Sequence, residues 1–432
     1  MVKNAKGTSV LSKFTYTLDP VGNPTQVVTP TSTTTYDYDS LDRLTEVCFQ
    51  ATCPAASDPY TRWGYDSVGN RTSETEPSGT TSYAYNAADQ LLSAGTTTYA
   101  YDPNGNQTQA GTRTFSYDLA NRLTSTTSGT TTTTYGYDGE GKRLLASTGS
   151  AATQNTKYLW DPNQPLYELA LERDGNNALL RRYIHGVDMV SMFTGGANYY
   201  YHRDGLGSVV NVTSATGGSQ WTYAYEPFGA NRTQTKNNTN APANVMRFTG
   251  QLRDSTGLYH LRARQYDGST GRFLQVDPVR PVLEDPYIGA YIYANNRPTV
   301  FMDPTGMFAW GNFLSWTSLA LSGAALVLTG AAPLLAVGLG AASLLASAGS
   351  TGARCYHAVD AGCAFSFATT ALNAVSWGVG TAANQGLLTA SEITARKISF
   401  LSAYAGVVAS GAAFVPISTA WASGFSSSGS GK

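Results

Sequence analysis

Three residues in the second half of the chain have side chains of the types used in acid/base chemistry. Arg264 precedes Asp277 by 13 residues, Asp303 follows, and a proline comes directly after each aspartate. Two carboxylates brought together in a partly enclosed site do not both ionise easily, so one can activate water while the other protonates a leaving group. Arg264 would hold one carboxylate ionised or stabilise negative charge on a carbonyl. The pattern favours hydrolysis without a metal.

A purely structural interpretation of these residues stays open, because Asp-Pro is a common turn and Arg264 can simply pair with an acid in a sheet. Other catalytic constellations are weak. The histidines show no metal-ligand spacing, and no phosphate-binding loop occurs. The sequence therefore predicts no cofactor and no metal, and assigns structural roles to His185, His202, His260 and His357.

Composition narrows the class of protein. With 432 residues the chain exceeds a single small module, and its formal net charge of -1 gives it no general means of neutralising phosphates, so we predict no nucleic-acid partner. Only 13% of residues are charged, whereas 44 are Gly and 27 are Tyr, which suits turns and half-buried strands. Two local cysteine pairs, Cys48/Cys53 and Cys355/Cys363, are compatible with small disulfides or with free thiols.

An internal repeat must position the candidate residues. An aromatic-x-aromatic-Asp or -Asn signature, usually followed by a Gly or Asn turn, recurs at Tyr36–Asp39, Trp63–Asp66, Tyr83–Asn86, Tyr99–Asp102, Phe115–Asp118 and Tyr135–Asp138. Alternate residues of a strand point to one face, so both aromatic residues of a unit lie on the same side. The Asp then accepts backbone hydrogen bonds in a turn whose Gly or Asn adopts positive φ. Stacked hairpins of this kind predict a long antiparallel sheet.

These units resemble the YD repeats of the Rhs and teneurin families, and the downstream motifs resemble the Rhs repeat-associated core domain. Those motifs are Tyr200–Ser208, Tyr223–Gly229, Arg247–Gln251, Thr256–Asp267 and Gly271–Phe273. The resemblance covers residues 14–307 and implies a mainly β fold: a spiralling antiparallel YD-repeat shell, or partial cocoon. It divides the chain into a YD-repeat array (1–170), a core (171–307) and a tail (308–432). Complete shells of the family have longer arrays, so we expect the closing end of a shell or a truncated copy.

The resemblance also implies a self-cleaving aspartyl site. In the family's arrangement Arg264, Asp277 and Asp303 form the site, and the cut falls after Met307, freeing the segment that begins at Phe308. One departure concerns the first aspartate, because the family's Asp-Pro-x-Gly pattern is replaced here by Asp277–Arg280. Asp285, which also precedes a proline, is a second candidate; Asp277 is favoured because it keeps the interval from Arg264.

The tail differs sharply in composition from the rest of the chain. Residues 304–353 contain no Asp, Glu, Lys or Arg, and 313–332 is long enough to span a bilayer as a helix. Numerous glycines suit close helix packing in lipid. A hydrophobic α-helical domain is therefore expected over 308–432, either a membrane-inserting bundle or a soluble Ala-rich one. The tail has no recognisable nuclease, deaminase or ADP-ribosylating motif.

Taken with the resemblance, these features predict a shell protein that encloses and releases a membrane-active C-terminal effector in competition between cells. The alternative is a cell-surface adhesive or carbohydrate-binding repeat protein without catalysis. Expected partners are the chain's own tail as enclosed cargo, membrane lipid through 308–432, and an immunity protein. The resemblance implies a secreted or cell-surface location, although the N-terminus shows no Sec signal peptide.

Overall fold

A computed structural model of the chain describes residues 1–6, 8–163, 166–186, 189–278, 289–307 and 310–311. The chain divides into two units, Met1–Phe313 and Leu314–Lys432, and every described residue belongs to the first. The predicted helical tail lies outside the described residues apart from positions 310–311, as do Phe308 and Asp285.

A single antiparallel sheet of 23 strands dominates the described residues, and we call it the wall. Its strands are β1 (Val2–Lys6), β2 (Ser9–Leu18), β3 (Pro24–Val28), β4 (Thr33–Tyr38), β5 (Leu44–Cys48), β6 (Tyr60–Tyr65), β7 (Arg71–Glu76), β8 (Gly79–Tyr85), β9 (Leu91–Ala94), β10 (Thr97–Tyr101), β11 (Gln107–Ala110), β12 (Arg113–Tyr117), β13 (Leu123–Ser128), β14 (Thr131–Tyr137), β15 (Arg143–Ser147), β16 (Asn155–Asp161), β17 (Glu168–Asp174), β18 (Leu179–His185), β19 (Met189–Thr194), β20 (Ala197–Arg203), β21 (Val209–Ser214), β22 (Ser219–Tyr225) and β23 (Asn231–Lys236).

The wall is a meander, because each strand pairs antiparallel with the next one along the chain. The wall continues across residue 170, where the sequence predicts a boundary between the repeat array and the core. That boundary stays a prediction. The prediction of a mainly β fold built on a long antiparallel sheet is confirmed.

Side chains alternate across the wall as the repeat predicted. In β12, Phe115 is buried and Tyr117 half-buried, whereas Ser116 between them is exposed. The hydroxyl of the second aromatic residue then reaches the strand before it, as Tyr117 does in donating to the Gln107 carbonyl at 2.8 Å. The same bond recurs in Tyr38, Tyr65, Tyr85, Tyr137 and Tyr225. Each unit is thus fastened to its neighbour.

The aspartates cap the turns between hairpins, also as predicted. Asp118 Oδ1 accepts hydrogen bonds from the backbone N–H groups of Ala120 and Arg122, at 2.9 and 3.0 Å. The residue before Arg122 is Asn121, whose φ of 59° lies in the left-handed region that Asn and Gly tolerate. Asp39, Asp66, Asp102, Asp138 and Asp204 accept the same pair of bonds.

The wall curls so that its first strands touch its last hairpins. Asn4 Nδ2 donates to the Arg203 carbonyl at 2.9 Å, and Lys6 Nζ donates to the Ala215 carbonyl at 3.0 Å. The Tyr16 hydroxyl accepts a hydrogen bond from the Gly205 N–H at 2.8 Å. Near the first strands, Cys48 and Cys53 form a disulfide, which decides between the two alternatives for that pair.

A core segment, residues 244–278 and 289–307, packs against the wall. It contains a four-stranded sheet and one strand of a two-stranded sheet: β24 (Leu252–Arg253), β25 (Tyr259–Leu261), β26 (Arg264–Asp267) and β27 (Arg272–Phe273), then β28 (Phe301–Met302), which pairs with β29 (Trp310–Gly311). Across the described ranges the helical elements are three 3₁₀ turns, Ala152–Gln154, Phe248–Gly250 and Ala294–Asn296, and no helix there has the length and apolar character to cross a membrane.

Hydrogen bonds join the core segment to the row of aspartate turns along one edge of the wall. Arg272 Nη1 donates to Asn70 Oδ1 at 3.1 Å, Asn296 Nδ2 donates to the Gly69 carbonyl at 2.7 Å, and Arg297 Nη2 donates to Asn23 Oδ1 at 2.8 Å. A buried aromatic cluster of Phe248, Tyr259, Tyr266, Phe273 and Tyr293 fills the interior of the segment. The wall turns therefore set where the core segment lies.

One turn aspartate makes stability depend on pH. Burial raises the pKa of Asp204 to about 6 from its ordinary 3.8, so the folded chain holds this proton more tightly than the unfolded chain does. Stability from this group is greatest at low pH and falls as pH rises from about 4 through 6. We expect Asp204→Asn to stabilise the fold by about 1–3 kcal/mol at pH 7.5 and by much less at pH 4, measured by denaturant unfolding.

The matched control is Asp118→Asn, with the opposite sign. Although burial alone would raise it, hydrogen bonds from Arg122 lower the pKa of Asp118, so its ionised form stabilises the fold at neutral pH. The Asn variant should therefore be less stable than the wild type at pH 7.5. Asn is tolerated at this turn position, since Asn86 Oδ1 accepts the same two bonds. If Asp204→Asn and Asp118→Asn changed the free energy of unfolding equally at pH 7.5, the opposite pKa shifts assigned to these two aspartates would be contradicted.

Candidate functional site

The predicted site residues lie in the core segment, on three separate elements. Arg264 begins β26 after the tight turn that joins it to β25, where Arg262 takes a φ of 55°. Asp277 follows β27, and its N–H donates to the Ala290 carbonyl at 3.0 Å. Asp303 follows β28 directly and is 2% exposed. Of these strands, β26 and β27 pair antiparallel with each other, whereas β28 belongs to the separate two-stranded sheet.

The structure brings Arg264, Asp277 and Asp303 into contact. Arg264 Nη2 lies 2.8 Å from Asp277 Oδ2 and 3.2 Å from Asp303 Oδ2. The two carboxylates therefore share one guanidinium nitrogen. The Asp277 side chain is 25% exposed, so of the two carboxylates it is the one open to water.

The environment of Arg264 is almost free of solvent, since its side chain is 2% exposed. The guanidinium carbon lies 3.6 Å from the centre of the Phe273 ring, and Nη1 donates to the Ala290 carbonyl at 3.1 Å. Burial lowers the pKa of Arg264, and the charges of Asp277 and Asp303 oppose that shift. A buried cation of this kind depends on its anionic partners.

The segment that precedes the predicted cut is held by the turn between β25 and β26. Three consecutive carbonyls, from Pro304 to Gly306, accept hydrogen bonds from three consecutive residues, Arg262 to Arg264. The first and third bonds come from the arginine side chains, and the middle one from the Ala263 N–H to the Thr305 carbonyl at 3.1 Å. The backbone leading to Met307 is therefore fixed beside Arg264.

Asp303 also organises this segment directly. Its Oδ1 accepts a hydrogen bond from Thr305 Oγ1 at 2.9 Å and one from the Met307 N–H at 3.3 Å. Gly306 has a φ of +65°, and a Cβ there would lie 2.2 Å from the Leu261 carbonyl oxygen, so only glycine fits. Beyond the predicted cut, the backbone pairing of β28 with β29 closes the base of the loop.

Sequence reasoning missed Arg262. Its Nε and Nη2 donate to the Tyr167 carbonyl at 3.1 and 2.9 Å, while Nη1 contacts the Pro304 carbonyl. Arg262 thereby links the wall loop before β17 to the cleavage segment. The only sequence clue is its place two residues before Arg264, which does not reveal a partner 95 residues away.

The described histidines contact residues outside this cluster. His185 lies 2.7 Å from Glu168 Oε2; burial alone lowers its pKa, but the carboxylate outweighs that effect and raises it. His202 Nε2 bonds to Thr213, and burial lowers the pKa of His260, whose Nδ1 contacts Gln265. Among the described residues no three His, Cys, Asp or Glu side chains are grouped to hold a metal ion.

The described residues form a curled sheet of tyrosine–aspartate hairpins, and a core segment is hydrogen-bonded to the turns of that sheet. This arrangement defines a β-shell protein built from repeats. The chain belongs to the Teneurin YD-shell family, which matches residues 19–299. That match agrees with the resemblance to YD-repeat proteins predicted from the motifs.

Known proteins match part of this chain. The tRNA3(Ser)-specific nuclease WapA of Bacillus spizizenii is 32% identical over 181 residues, which are 41% of this chain and 8% of that protein. Double-stranded DNA deaminase toxin A of Burkholderia cenocepacia is 28% identical over 39% of this chain and 11% of its own length. The chain thus spans a small fraction of these relatives.

A solved structure shares the fold. The Photorhabdus luminescens Tc holotoxin pore matches with a TM-score of 0.56 at 20% identity, over 70% of this chain and 17% of that one. This likeness concerns the fold alone. Hydrolysis after Met307 stays a prediction.

Proposed function

We propose that the protein is a shell that encloses its own C-terminal segment and frees it by cutting the peptide bond after Met307. The observation that carries this proposal is the sharing of one buried Arg264 guanidinium by Asp277 and Asp303, beside a backbone segment held at three successive carbonyls. An ion pair that only stabilises the fold needs neither a second carboxylate nor a backbone segment hydrogen-bonded beside it.

The chemistry is hydrolysis by a pair of carboxyls. One positive charge on Arg264 offsets one carboxylate, so the second carries a proton in this enclosed site. The ionised carboxyl takes a proton from water, whose oxygen attacks the Met307 carbonyl carbon. The other carboxyl gives its proton to the Phe308 nitrogen as the C–N bond breaks. The products are a Met307 carboxylate and a new amino terminus at Phe308.

The exposures of the two aspartates suggest their roles. Asp277 is the one that water can reach, so it acts as the base. Asp303, whose Oδ1 contacts the Met307 N–H, lies against the cleavage segment and acts as the acid. Arg264 orients both carboxyls. Arg262 positions the Pro304 carbonyl.

The relatives support a cargo role for residues 308–432. A nuclease and a deaminase toxin are similar to part of this chain, so we propose that the segment after the shell is the effector here too. Its apolar composition favours a membrane-active effector, with membrane lipid as target and an immunity protein as a further partner. A secreted or cell-surface location follows from this role.

The first experiment is intact-mass spectrometry of the purified full-length chain. We expect two species, whose masses correspond to residues 1–307 and 308–432, in place of one species of 45.8 kDa. A chain that stays whole across pH 4–8 would rule out self-cleavage.

A separate experiment tests the effector. We expect purified residues 308–432 to release dye from liposomes of bacterial lipids, with residues 1–307 as the inactive control, because a long uncharged apolar segment partitions into bilayers. Release should rise with peptide concentration. Dye retention at every pH and concentration would instead favour the soluble bundle.

A further inference from the structure

The wall turn that contains Gly105 lies against the residues that carry the candidate site. Tyr291 donates a hydrogen bond from its hydroxyl to the Gly105 carbonyl at 2.7 Å, across 186 residues of sequence. Its ring packs edge-on against Tyr101, with centroids 5.6 Å apart, and Tyr291 is 1% exposed. The wall therefore fixes the position of Tyr291.

The residue before Tyr291 holds two members of the site at once. The Ala290 carbonyl accepts hydrogen bonds from the Asp277 N–H at 3.0 Å and from Arg264 Nη1 at 3.1 Å. On the other side, the Tyr291 carbonyl accepts from the Phe273 N–H at 2.9 Å, and the Phe273 ring lies under Arg264. Movement of Tyr291 would thus shift both Asp277 and Arg264.

The same wall turn also touches the residue before Asp277. A Cβ at Gly105 would lie 2.4 Å from Val276 Cγ2 and 2.8 Å from the Tyr291 hydroxyl. Gly105 has a φ of +81°, as its place in the repeat requires. Because Gly105 has no side chain, Val276 and Tyr291 can both approach the wall at this turn.

We infer that Gly105 and Tyr291 are positioning residues for self-cleavage, and that cleavage requires the wall turn to be docked on the core segment. This inference rests on the proposed function. Until β10 and β11 have formed their turn, Tyr291 lacks its anchor and Asp277 is not held beside Arg264. Self-cleavage is therefore coupled to the folding of this part of the wall, so the tail is not released before the β10–β11 turn has docked on the core segment.

The repeat supplies a matched control for this inference. Gly22 occupies the same turn position, with a φ of +94°, but a Cβ there would meet nothing within 4 Å. Gly105→Ala and Gly22→Ala therefore impose similar backbone strain, and only the first pushes on Val276 and Tyr291. Both variants are made in the full-length chain, and the rate of fragment formation and the melting temperature are measured for each.

We expect Gly105→Ala to slow cleavage at least tenfold and Gly22→Ala to cleave within twofold of the wild-type rate, at similar losses of melting temperature. Adding Val276→Ala to Gly105→Ala should recover at least threefold of the rate without restoring the melting temperature, because it makes room for the new methyl group but leaves the strained φ. Tyr291→Phe, which keeps the ring, should slow cleavage even if Gly105→Ala fails to fold.

The outcomes separate the inference from the proposed function. A wild-type chain that is never cut defeats both. A wild-type chain that is cut, with Gly105→Ala and Tyr291→Phe cleaving at the rate of Gly22→Ala, leaves the proposed function standing and overturns the inference. Slow cleavage by Gly22→Ala equal to that of Gly105→Ala would likewise overturn it, because wall stability alone would then explain the effect.

Discussion

Replacing Asp303 with Asn is expected to leave the full-length chain uncut, with cleavage slowed on the order of 10³-fold or more. The amide cannot give its proton to the Phe308 nitrogen or take one from water. It does keep an oxygen that can accept from Thr305 Oγ1 and the Met307 N–H, so the cleavage segment should stay in place. Intact-mass spectrometry over several days measures the residual rate.

Two further substitutions test the assignment of the partner carboxyl. Asp277→Asn should be as inactive as Asp303→Asn, whereas Asp285→Asn, the other candidate from the sequence, should cleave like the wild type. An active Asp277→Asn chain beside an inactive Asp285→Asn chain would transfer the role to Asp285. If all three variants were cut normally, the cluster around Arg264 would be an ion pair of purely structural value.

The wall could be predicted from sequence because its determinants are local. Alternation of side chains along β12 and the capping of the turn by Asp118 involve residues a few positions apart. Because the same alternation and turn pattern recurs in many units, a wrong prediction for one unit is corrected by the others. The conformation of Asn121 follows from the same local rule.

The site was predictable only in part, because its remaining determinants are contacts between distant residues. The resemblance to the family pointed to the partnership of Arg264 and Asp277, but nothing near Arg262 in sequence indicates that it holds the Tyr167 and Pro304 carbonyls. Gly105 belongs to an ordinary turn of the repeat. Its contact with Tyr291 joins residues 186 positions apart, which no local pattern reveals.

Arg143 is another residue whose long-range contacts could not be predicted from the sequence. It is the Arg of an Arg-Leu pair that follows a repeat unit, and it begins β15. The structure adds that Arg143 is fully buried, lies 3.2 Å from Asp254 Oδ2, and donates from Nη2 to Gln265 Oε1 at 2.8 Å. One wall residue thereby holds two residues of the core segment.

The largest expected loss of stability follows from removing this cation. Arg143→Met should lower the free energy of unfolding by about 3–5 kcal/mol, because Asp254, whose side chain is 3% exposed, would keep a buried charge without its partner. The methionine also loses the cation–π contact with Tyr135, whose ring centre lies 4.2 Å from the guanidinium carbon. Denaturant unfolding followed by circular dichroism measures the change.

Two comparisons decide whether the uncompensated charge is the cause. Arg62→Met removes the exposed pair between Arg62 and Glu46, at 2.7 Å, and should cost less than about 1 kcal/mol. Adding Asp254→Asn to Arg143→Met should restore at least half of the lost free energy, because Asn keeps an acceptor for the Thr256 N–H but carries no charge. If the double variant is less stable than Arg143→Met alone, the contribution of Arg143 comes from packing against Tyr135 and not from neutralising Asp254. Because Arg143 and Tyr135 both lie on wall strands, the contribution of Arg143 would then be to the wall itself.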